Sequence, residues 1–358
     1  MQRVLVTGFP GFIAGMLLER LSAGLVEVNL LVESRFAEAA RTRADAIATS
    51  LGLPPERFRI EIGDITREGL GLEAQAAERL QAEVDTVFHL AAVYDLAVPE
   101  AIAQKVNVEG TANVNRFVAG IANLERYNYV STYAVAGKRS GVIREAELEH
   151  DAGFFNHYES TKYAAEVLVR ALARDEGVPT SIFRPGVVVG SSKDGRTIKF
   201  DGPYMLLKVL RRLPWPIGRF NAGLPDVKFQ VVPVDFIIEA MATIANKPGL
   251  DGKTFHLTDP EPISTAEIYD LFSQALDGAR SWVRAPKLLT WLATTSGAAE
   301  SLGLQRQAAP YFFHQATFDC VNTLDALDGT GVAVPPLASY VDKLVAFFLD
   351  HEKELEKK

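Results

Sequence analysis

The first half of the chain alternates short apolar runs with longer segments of helical periodicity. The apolar runs predict six strands: Val4–Val6, Val28–Val32, Phe58–Ile62, Val84–Leu90, Tyr127–Ser131 and Thr180–Arg184. The periodic segments predict helices at Phe12–Ala23, Phe36–Leu51, Val106–Ala122 and Tyr158–Glu176. Because these strands are apolar on both faces, they suit a sheet buried between two helical layers. The pattern therefore predicts an α/β fold of the Rossmann type, with a doubly wound parallel sheet.

Glycine and proline cluster after Arg184, and the pattern changes. Four further elements are predicted at Tyr204–Arg212, Phe229–Val232, Phe236–Asn246 and Phe255–Leu257. Asp235 is a candidate N-cap for the second of these helices. The rest of the chain is mainly helical. We therefore expect two interleaved units, a nucleotide-binding domain (1–189 plus 229–258) and a smaller, mostly helical substrate cap (190–228 plus 259–358).

Composition narrows the possible functions. The 358 residues are 48% hydrophobic and carry a net charge of −8, which excludes a largely disordered chain and argues against nucleic-acid binding. The single cysteine, Cys320, excludes a disulfide framework and a cysteine-based zinc site, and no metal site is predicted. The sequence shows neither a secretory signal nor an apolar stretch long enough to span a membrane. We expect a cytoplasmic protein.

A glycine-rich turn, Thr7-Gly8-Phe9-Pro10-Gly11-Phe12-Ile13-Ala14, joins the first strand to the first helix. Gly8 suits a tight turn, Gly11 permits close approach of a pyrophosphate, and the helix N-terminus supplies unpaired N–H groups. Ala14 replaces the third glycine of the usual pattern. A plain tight turn is the alternative. The predicted dinucleotide contacts here are Gly8, Phe9, Gly11, Phe12 and Ile13.

The end of the second strand offers contacts for both forms of the nicotinamide cofactor. Glu33 suits the ribose 2′-OH of NAD, whereas Arg35, with Arg41 and Arg43 farther along, suits the 2′-phosphate of NADP. The arginines can equally form a solvated helix face. The residues leave the choice between NAD and NADP open.

Two further strand ends carry candidate cofactor contacts. Asp64, followed by Ile65, can accept a hydrogen bond from an adenine amino group or cap the next helix. The small residues of Leu90-Ala91-Ala92 allow the backbone to lie flat against a ligand.

A catalytic arrangement is indicated by Tyr158 and Lys162, whose four-residue spacing places both side chains on one helix face. A nearby ammonium favours the phenolate, so we expect Lys162 to lower the pKa of Tyr158. Thr132 supplies a hydroxyl at the end of the fifth strand, where doubly wound folds bind ligands.

These motifs resemble the extended short-chain dehydrogenase/reductase family across nearly the whole chain. The match rests on TGxxGxxA, His89-Leu-Ala-Ala, Asn107-Val-Glu-Gly-Thr, Ser131-Thr132, YxxxK and Arg184-Pro-Gly. The resemblance implies a catalytic triad of Thr132, Tyr158 and Lys162. It also implies that Asn107 orders a water relay, with local backbone bonding as the alternative. By the same likeness, Pro185, Gly186 and Val187 line the nicotinamide.

Within that family, the segments around Thr132 and Tyr158 look most like thioester reductases and fatty acyl-CoA reductases. We therefore expect a hydrophobic substrate that contacts Tyr94, Thr132, Tyr133 and Tyr204. Aromatic residues are frequent in the predicted cap, where they form either a pocket or the cap core: Tyr204, Trp215, Phe220, Trp282, Trp291, Tyr311, Phe312 and Phe313.

The main hypothesis is an NAD(P)-dependent oxidoreductase that acts on a ketone, an aldehyde or an acyl thioester. Tyr158 would protonate the carbonyl oxygen, Thr132 would bind that oxygen, and Lys162 would also hold the nicotinamide ribose. NADP is favoured by the branch resemblance and by Arg35. One alternative is a nucleotide-sugar epimerase with resident NAD, and another is a non-catalytic dinucleotide sensor. A homodimer through Val106–Ala122 and Tyr158–Glu176 is possible.

Overall fold

Thirteen short strands are described in this computed structural model, which covers residues 2–212, 220–245, 247–281, 283–285, 310–311 and 313–355. They are β1 (Gln2–Thr7), β2 (Leu25–Val32), β3 (Phe58–Ile62), β4 (Thr86–His89), β5 (Arg126–Val130), β6 (Gly141–Ile143), β7 (Thr180–Pro185), β8 (Val187–Val189), β9 (Phe220–Asn221), β10 (Val231–Pro233), β11 (Thr254–Leu257), β12 (Val283–Arg284) and β13 (Ala316–Phe318). Seven of them form a parallel sheet in the order β11-β7-β5-β4-β1-β2-β3. The chain order reverses between β1 and β4, which is where doubly wound sheets bind ligands.

Eleven α-helices are described, some on the two faces of this sheet and the others in the cap. They are α1 (Phe12–Leu21), α2 (Ala37–Leu51), α3 (Ala74–Glu83), α4 (Glu100–Ala103), α5 (Gly110–Ala119), α6 (His157–Glu176), α7 (Tyr204–Arg212), α8 (Val234–Ala245), α9 (Thr265–Asp277), α10 (Val321–Leu327) and α11 (Val341–Leu355). A π-helical turn (Gln104–Glu109) joins α4 to α5. The predicted α/β fold is confirmed.

Two apolar clusters explain why the strands read as apolar on both faces. One cluster packs α1, α2 and α8 against one side of the sheet, through residues such as Leu17, Ile47 and Ile237. The other packs α3, α5 and α6 against the opposite side, through residues such as Leu80 and Val114. Burial of both faces is the arrangement expected of a parallel sheet.

A third apolar cluster forms the cap. It joins α7, α9 and α11 around Tyr204, Phe272 and Phe348, all of which are fully buried. The cap is connected to the sheet by a separate two-stranded sheet, in which β8 pairs with β10. The predicted strand near 229–232 is therefore present, but it lies outside the central sheet, whereas β11 forms the edge of that sheet.

Asp235 does not cap α8. The helix begins one residue earlier, at Val234, and the Asp235 carboxylate accepts hydrogen bonds from the Ser192 N–H (2.7 Å) and hydroxyl (2.6 Å). A carboxylate in the first helical turn can serve a neighbouring loop because the loop brings its donors within reach. Asp235 therefore ties the loop after β8 to the nucleotide-binding domain.

The predicted boundary of the cap is also corrected. Residues around 316–334 pack on the nucleotide-binding domain, because β13 pairs with β6 and α10 buries Ala326 and Leu327 in the cluster of α1, α2 and α8. The chain returns to the cap only with α11. Among the described residues, none of the helices combines the length and apolarity that crossing a membrane requires.

Candidate active site

One cavity of about 890 Å³ opens at the carboxyl ends of β1, β4, β5 and β7, between the sheet and the cap. It brings together all of the residues predicted to contact the cofactor: Gly8, Phe9, Gly11, Phe12, Ile13, Glu33, Arg35, Asp64, Ile65, Leu90, Ala91, Ala92, Tyr158, Lys162, Pro185, Gly186 and Val187. Of the other predicted site residues, Tyr94, Thr132 and Tyr133 also line it. Their roles in binding and catalysis stay predictions.

The glycine-rich turn leaves no space for side chains at its two key positions. Gly8 has a φ of +89°, and a Cβ there would lie 2.8 Å from the Ala91 nitrogen. A Cβ on Gly11 would lie 2.6 Å from the Gly8 carbonyl oxygen. Gly11 is the N-cap of α1 and provides no side-chain cap, so the first N–H groups of the helix remain available to an anion. This cradle fits a dinucleotide pyrophosphate.

Arg43 packs on this turn and is not part of a solvated helix face. Its guanidinium donates to the carbonyl oxygens of Pro10 (2.6 Å) and Gly11 (3.0 Å). A Cβ on Gly15 would lie 2.0 Å from the Arg43 guanidinium carbon, so Gly15 is what lets Arg43 approach α1. By contrast, Arg41 donates to the carbonyl oxygen of Phe58 (3.1 Å).

Glu33 and Arg35 bind each other at the end of β2. The Arg35 guanidinium donates to both carboxylate oxygens, at 2.8 and 3.0 Å, and both side chains are partly exposed. Both also line the cavity, so either charge can face a bound ribose.

Asp64 caps a local turn. Its Oδ1 accepts from the backbone N–H and the hydroxyl of Thr66, both at 2.8 Å. Nearby, the Thr7 hydroxyl accepts from the Ala91 N–H (3.1 Å) and is hydrogen-bonded to the buried His89 ring (2.7 Å). These bonds hold the ends of β1 and β4 close together beneath the predicted nucleotide site.

Tyr158 lies on the first turn of α6 and is nearly fully buried. Burial raises the pKa of Tyr158 to about 12, although its hydrogen bond with Thr132 acts in the opposite direction. Thr132 lies two residues after the end of β5, and its hydroxyl accepts a hydrogen bond from the Ala134 N–H (3.2 Å). Tyr158 is therefore protonated at neutral pH, which suits a proton donor.

Lys162 is directed toward β5. Its ammonium donates to the Tyr129 hydroxyl (2.9 Å) and to the Val130 carbonyl oxygen (2.8 Å). Burial lowers the pKa of Lys162 to about 7, against the opposing charge of Glu166. The expected lowering of the Tyr158 pKa by Lys162 is not found, because burial dominates and the ammonium is engaged with β5.

Asn107 lies within the π-helical turn and is buried, but it does not line the cavity. Its amide binds the backbone of Val93 through both an accepted (2.9 Å) and a donated (3.3 Å) hydrogen bond, and it donates to the Thr161 hydroxyl (3.1 Å). The side chain thus connects the loop after β4 to α6 and does not bond to the backbone of its own helix in the way that the alternative for this residue expects.

The predicted aromatic substrate contacts divide into two groups. Tyr94 packs edge-to-face on Tyr158, with ring centroids 5.2 Å apart, and Tyr133 packs on Phe318 at the same distance. Tyr204 is corrected: it is 1% exposed in the cap core, and its hydroxyl accepts from the Gly190 N–H (3.0 Å). Four of the listed aromatics lie outside the described residues, namely Trp215, Trp282, Trp291 and Phe312, as does the side chain of Phe220.

The cap end of the cavity is lined by residues that the sequence did not single out. They are Thr197, Ile198, Lys199, Asp201, Met205, Leu206, Phe229, Thr265 and Ile268. Lys199 forms an ion pair with Asp201 (3.3 Å) and lies 5.3 Å above the Tyr94 ring. Tyr311 also lines the cavity; it appeared in the sequence only as one of many cap aromatics.

Comparison with known proteins agrees with this geometry. Residues 6–241 match the model of an NAD-binding family described as male sterility protein. The chain belongs to this family. The resemblance to extended short-chain dehydrogenases/reductases is therefore confirmed, and NAD(P) is the cofactor class of the fold.

The named relatives include reductases and nonribosomal peptide synthetases. Glycine betaine reductase of Emericella nidulans is 30% identical over 75% of this chain and 22% of its own length. Carboxylic acid reductase of Segniliparus rugosus is 28% identical over 70% of this chain and 23% of its own length. The chain thus spans about a quarter or less of these relatives.

A solved structure resembles the chain over almost its whole length. The terminal R domain from the myxalamid PKS-NRPS biosynthetic pathway has 28% sequence identity and a TM-score of 0.82, and the match covers 98% of this chain and 91% of that one. The reductase names among these relatives favour the reductase hypothesis over the epimerase alternative.

Proposed function

We propose that this chain is an NAD(P)H-dependent reductase of hydrophobic carbonyl compounds, including acyl thioesters. The observation that carries the proposal is the position of Tyr158 and Thr132 in the wall of the same cavity that contains the glycine-rich cradle. A carbonyl group placed beside them meets a proton donor at one end of the cofactor site.

Each of these side chains has a separate role in the proposed reaction. Bound nicotinamide would supply the hydride that reduces the carbonyl carbon. The Tyr158 hydroxyl gives its proton to the carbonyl oxygen, which becomes the alcohol oxygen when the substrate is a ketone or an aldehyde. With an acyl thioester the same addition gives a hemithioacetal, whose C–S bond then breaks as the hydroxyl proton passes to sulfur, releasing an aldehyde and a thiol. Thr132 would orient the carbonyl oxygen through its hydroxyl, and Lys162 would hold the nicotinamide ribose.

The walls at the cap end support an apolar substrate. Met205, Leu206, Phe229 and Ile268 place apolar side chains there. Burial of a hydrocarbon chain against such walls is favourable by about 25 cal/mol per Å². The branch resemblance and the names of the relatives support the same substrate class.

Replacing the proton donor tests this function. We expect Tyr158→Phe to lower kcat by about a hundredfold or more, because general acid catalysis contributes on that scale. Nucleotide affinity should remain near that of the wild type. The assay follows oxidation of NADPH and NADH at the nicotinamide absorbance band, with long-chain aldehydes, ketones and acyl-CoA esters as substrates.

Tyr163→Phe is the matched control, since this tyrosine lies on the same helix and packs on His150 and Phe154. It should retain wild-type turnover. Full activity of Tyr158→Phe would refute the mechanism. Tight nucleotide binding by the wild type without oxidation of any substrate in the panel would refute the reductase function.

NADPH is the cofactor form that we propose. Arg35 places a guanidinium group in the cavity wall at the end of β2, where it already binds the Glu33 carboxylate. A 2′-phosphate can replace Glu33 as the partner of Arg35. We expect Glu33→Gln to raise the ratio of kcat/KM for NADPH to that for NADH by about twofold to fivefold, the range of exposed ion pairs.

The control for this substitution is Glu239→Gln, which removes a comparable exposed ion pair with Arg20 (2.7 Å) in another part of the molecule. It should leave the cofactor ratio unchanged. A lower ratio in Glu33→Gln would contradict the replacement of Glu33 by the 2′-phosphate. A wild-type kcat/KM that is higher for NADH than for NADPH would overturn the choice of NADPH.

A further inference from the structure

A tyrosine from the C-terminal half of the chain is hydrogen-bonded to the start of the catalytic helix. The Tyr311 hydroxyl accepts from the Asn156 side-chain amide (2.9 Å) and donates to the Glu159 carboxylate. The Tyr311 ring also packs on Phe155, with centroids 5.5 Å apart. Tyr311 therefore contacts three of the residues that surround Tyr158 in the sequence.

The same two polar side chains also cap α6. The Asn156 side-chain oxygen accepts from the Glu159 N–H (3.0 Å), and the Glu159 carboxylate accepts from the Phe155 N–H (2.8 Å). Such bonds satisfy donors that a helix N-terminus otherwise leaves unpaired. Tyr158 lies between these two capping residues in the sequence, so their positions fix the backbone from which the Tyr158 side chain extends.

Glu159 depends on Tyr311 for a hydrogen bond. The Glu159 residue is 1% exposed, and burial raises its pKa whereas the Tyr311 bond lowers it. A buried carboxylate oxygen without a donor is costly, so loss of the Tyr311 hydroxyl should displace Glu159 from its capping position.

The segment that follows Tyr311 is attached to the loop between β5 and α6. The His314 ring is hydrogen-bonded to the Arg139 carbonyl oxygen (2.6 Å), and β13 pairs with β6. The loop between β5 and α6 runs from Thr132 to Tyr158. Contacts with this loop therefore fix the position of Tyr311 relative to both residues.

We propose that Tyr311 is a positioning residue, which holds Tyr158 in its place at the cavity through Asn156 and Glu159. The effect on turnover rests on the proposed reductase function, whereas the effect on the helix does not. Tyr311→Phe removes only the hydroxyl and retains the ring against Phe155.

Hydrogen exchange measured by mass spectrometry tests whether Tyr311 holds the start of α6 in place. In the full-length protein, we expect Tyr311→Phe to speed exchange in the first turn of α6 about tenfold, the scale of one lost buried hydrogen bond. Exchange in the rest of α6 should remain unchanged. Tyr163→Phe should leave the first turn as in the wild type.

Steady-state kinetics test whether this contact positions Tyr158 for turnover. We expect kcat of Tyr311→Phe to fall about tenfold, while the KM and the dissociation constant for NADPH remain within about twofold of the wild type. Combining Tyr311→Phe with Glu159→Gln should give less than the sum of the two single effects, because both act through one contact.

Unchanged exchange at the start of α6 would overturn the proposal. Faster exchange along the whole helix would overturn it as well, since that would indicate general destabilisation. Wild-type kcat in Tyr311→Phe, with faster local exchange and an active parent enzyme, would show that the contact does not position Tyr158. If the wild type reduces no substrate, the reductase function fails, and the exchange experiment still decides whether Tyr311 holds the helix.

Discussion

The two ends of the cavity are built in different ways. At the nucleotide end, Gly8, Glu33, Asp64 and Ala91 each follow the end of one parallel strand, and all lie within the first hundred residues. At the cap end, the wall combines the loop after β8, helix α7 and Tyr311, which are far apart along the chain. The nucleotide end depends on local turn geometry, whereas the cap end depends on tertiary packing.

The largest expected effect comes from the turn after β1. We expect Gly8→Ala to weaken nucleotide binding by at least about a hundredfold, because a left-handed φ costs an L-residue about 1–2 kcal/mol and the new Cβ would collide with Ala91. The measurement is a titration of nucleotide against the purified variant. Thermal unfolding of the same samples verifies that each variant is folded.

Gly52→Ala is the matched control for this effect. Gly52 has a similar left-handed φ of +64°, but a Cβ there would meet nothing within 4 Å. Gly52→Ala should lower the free energy of unfolding because of its left-handed φ, and it should bind nucleotide as the wild type does. Equal binding losses in both variants would mean that the cradle at Gly8 has no special role.

The next effect concerns pH. Burial lowers the pKa of Lys162 to about 7, so the ammonium is lost as the pH of the free protein rises through that value. We expect NADH affinity to be greatest below pH 7 and to fall by up to about tenfold per pH unit above it. The same shift makes this group's contribution to folding stability increase between about pH 7 and the pKa of an unfolded lysine, about 10.4.

Lys162→Met isolates this group. The variant should bind NADH more weakly at pH 6 and lose the pH dependence that the wild type shows above pH 7. Other titrating groups act in both proteins, so the difference between the two profiles reports Lys162. Parallel profiles would mean that the charge of Lys162 does not assist binding.

Sequence reasoning located the residues of the cavity where they belong to a short motif. The glycine turn and the Tyr158–Lys162 spacing are local, and the structure places both at one cavity. The same reasoning predicted helix α7 but not which of its faces meets the cavity. Tyr204 packs against Phe348 of α11, whereas its neighbours Met205 and Leu206 line the cavity.

Two other features depend on contacts that no local pattern encodes. Tyr311 meets Glu159 across 152 residues of sequence. The direction of the Lys162 ammonium depends on its bonds to β5, because spacing along a helix fixes the face of a side chain but not the partner of its terminal atom.

The last expected effect concerns the cap end. We expect Leu206→Ala to raise KM for a long-chain substrate by about tenfold, because the variant loses about 1.5 kcal/mol or more of apolar contact. KM for a short-chain analogue should change much less, since such a substrate does not reach α7. Leu271→Ala, which truncates a partly buried leucine packed on the same cap cluster, is the control and should leave both values unchanged. Equal changes in KM for the long and short substrates would mean that the acyl chain does not bind along α7. The cap wall would then select substrates by some feature other than chain length.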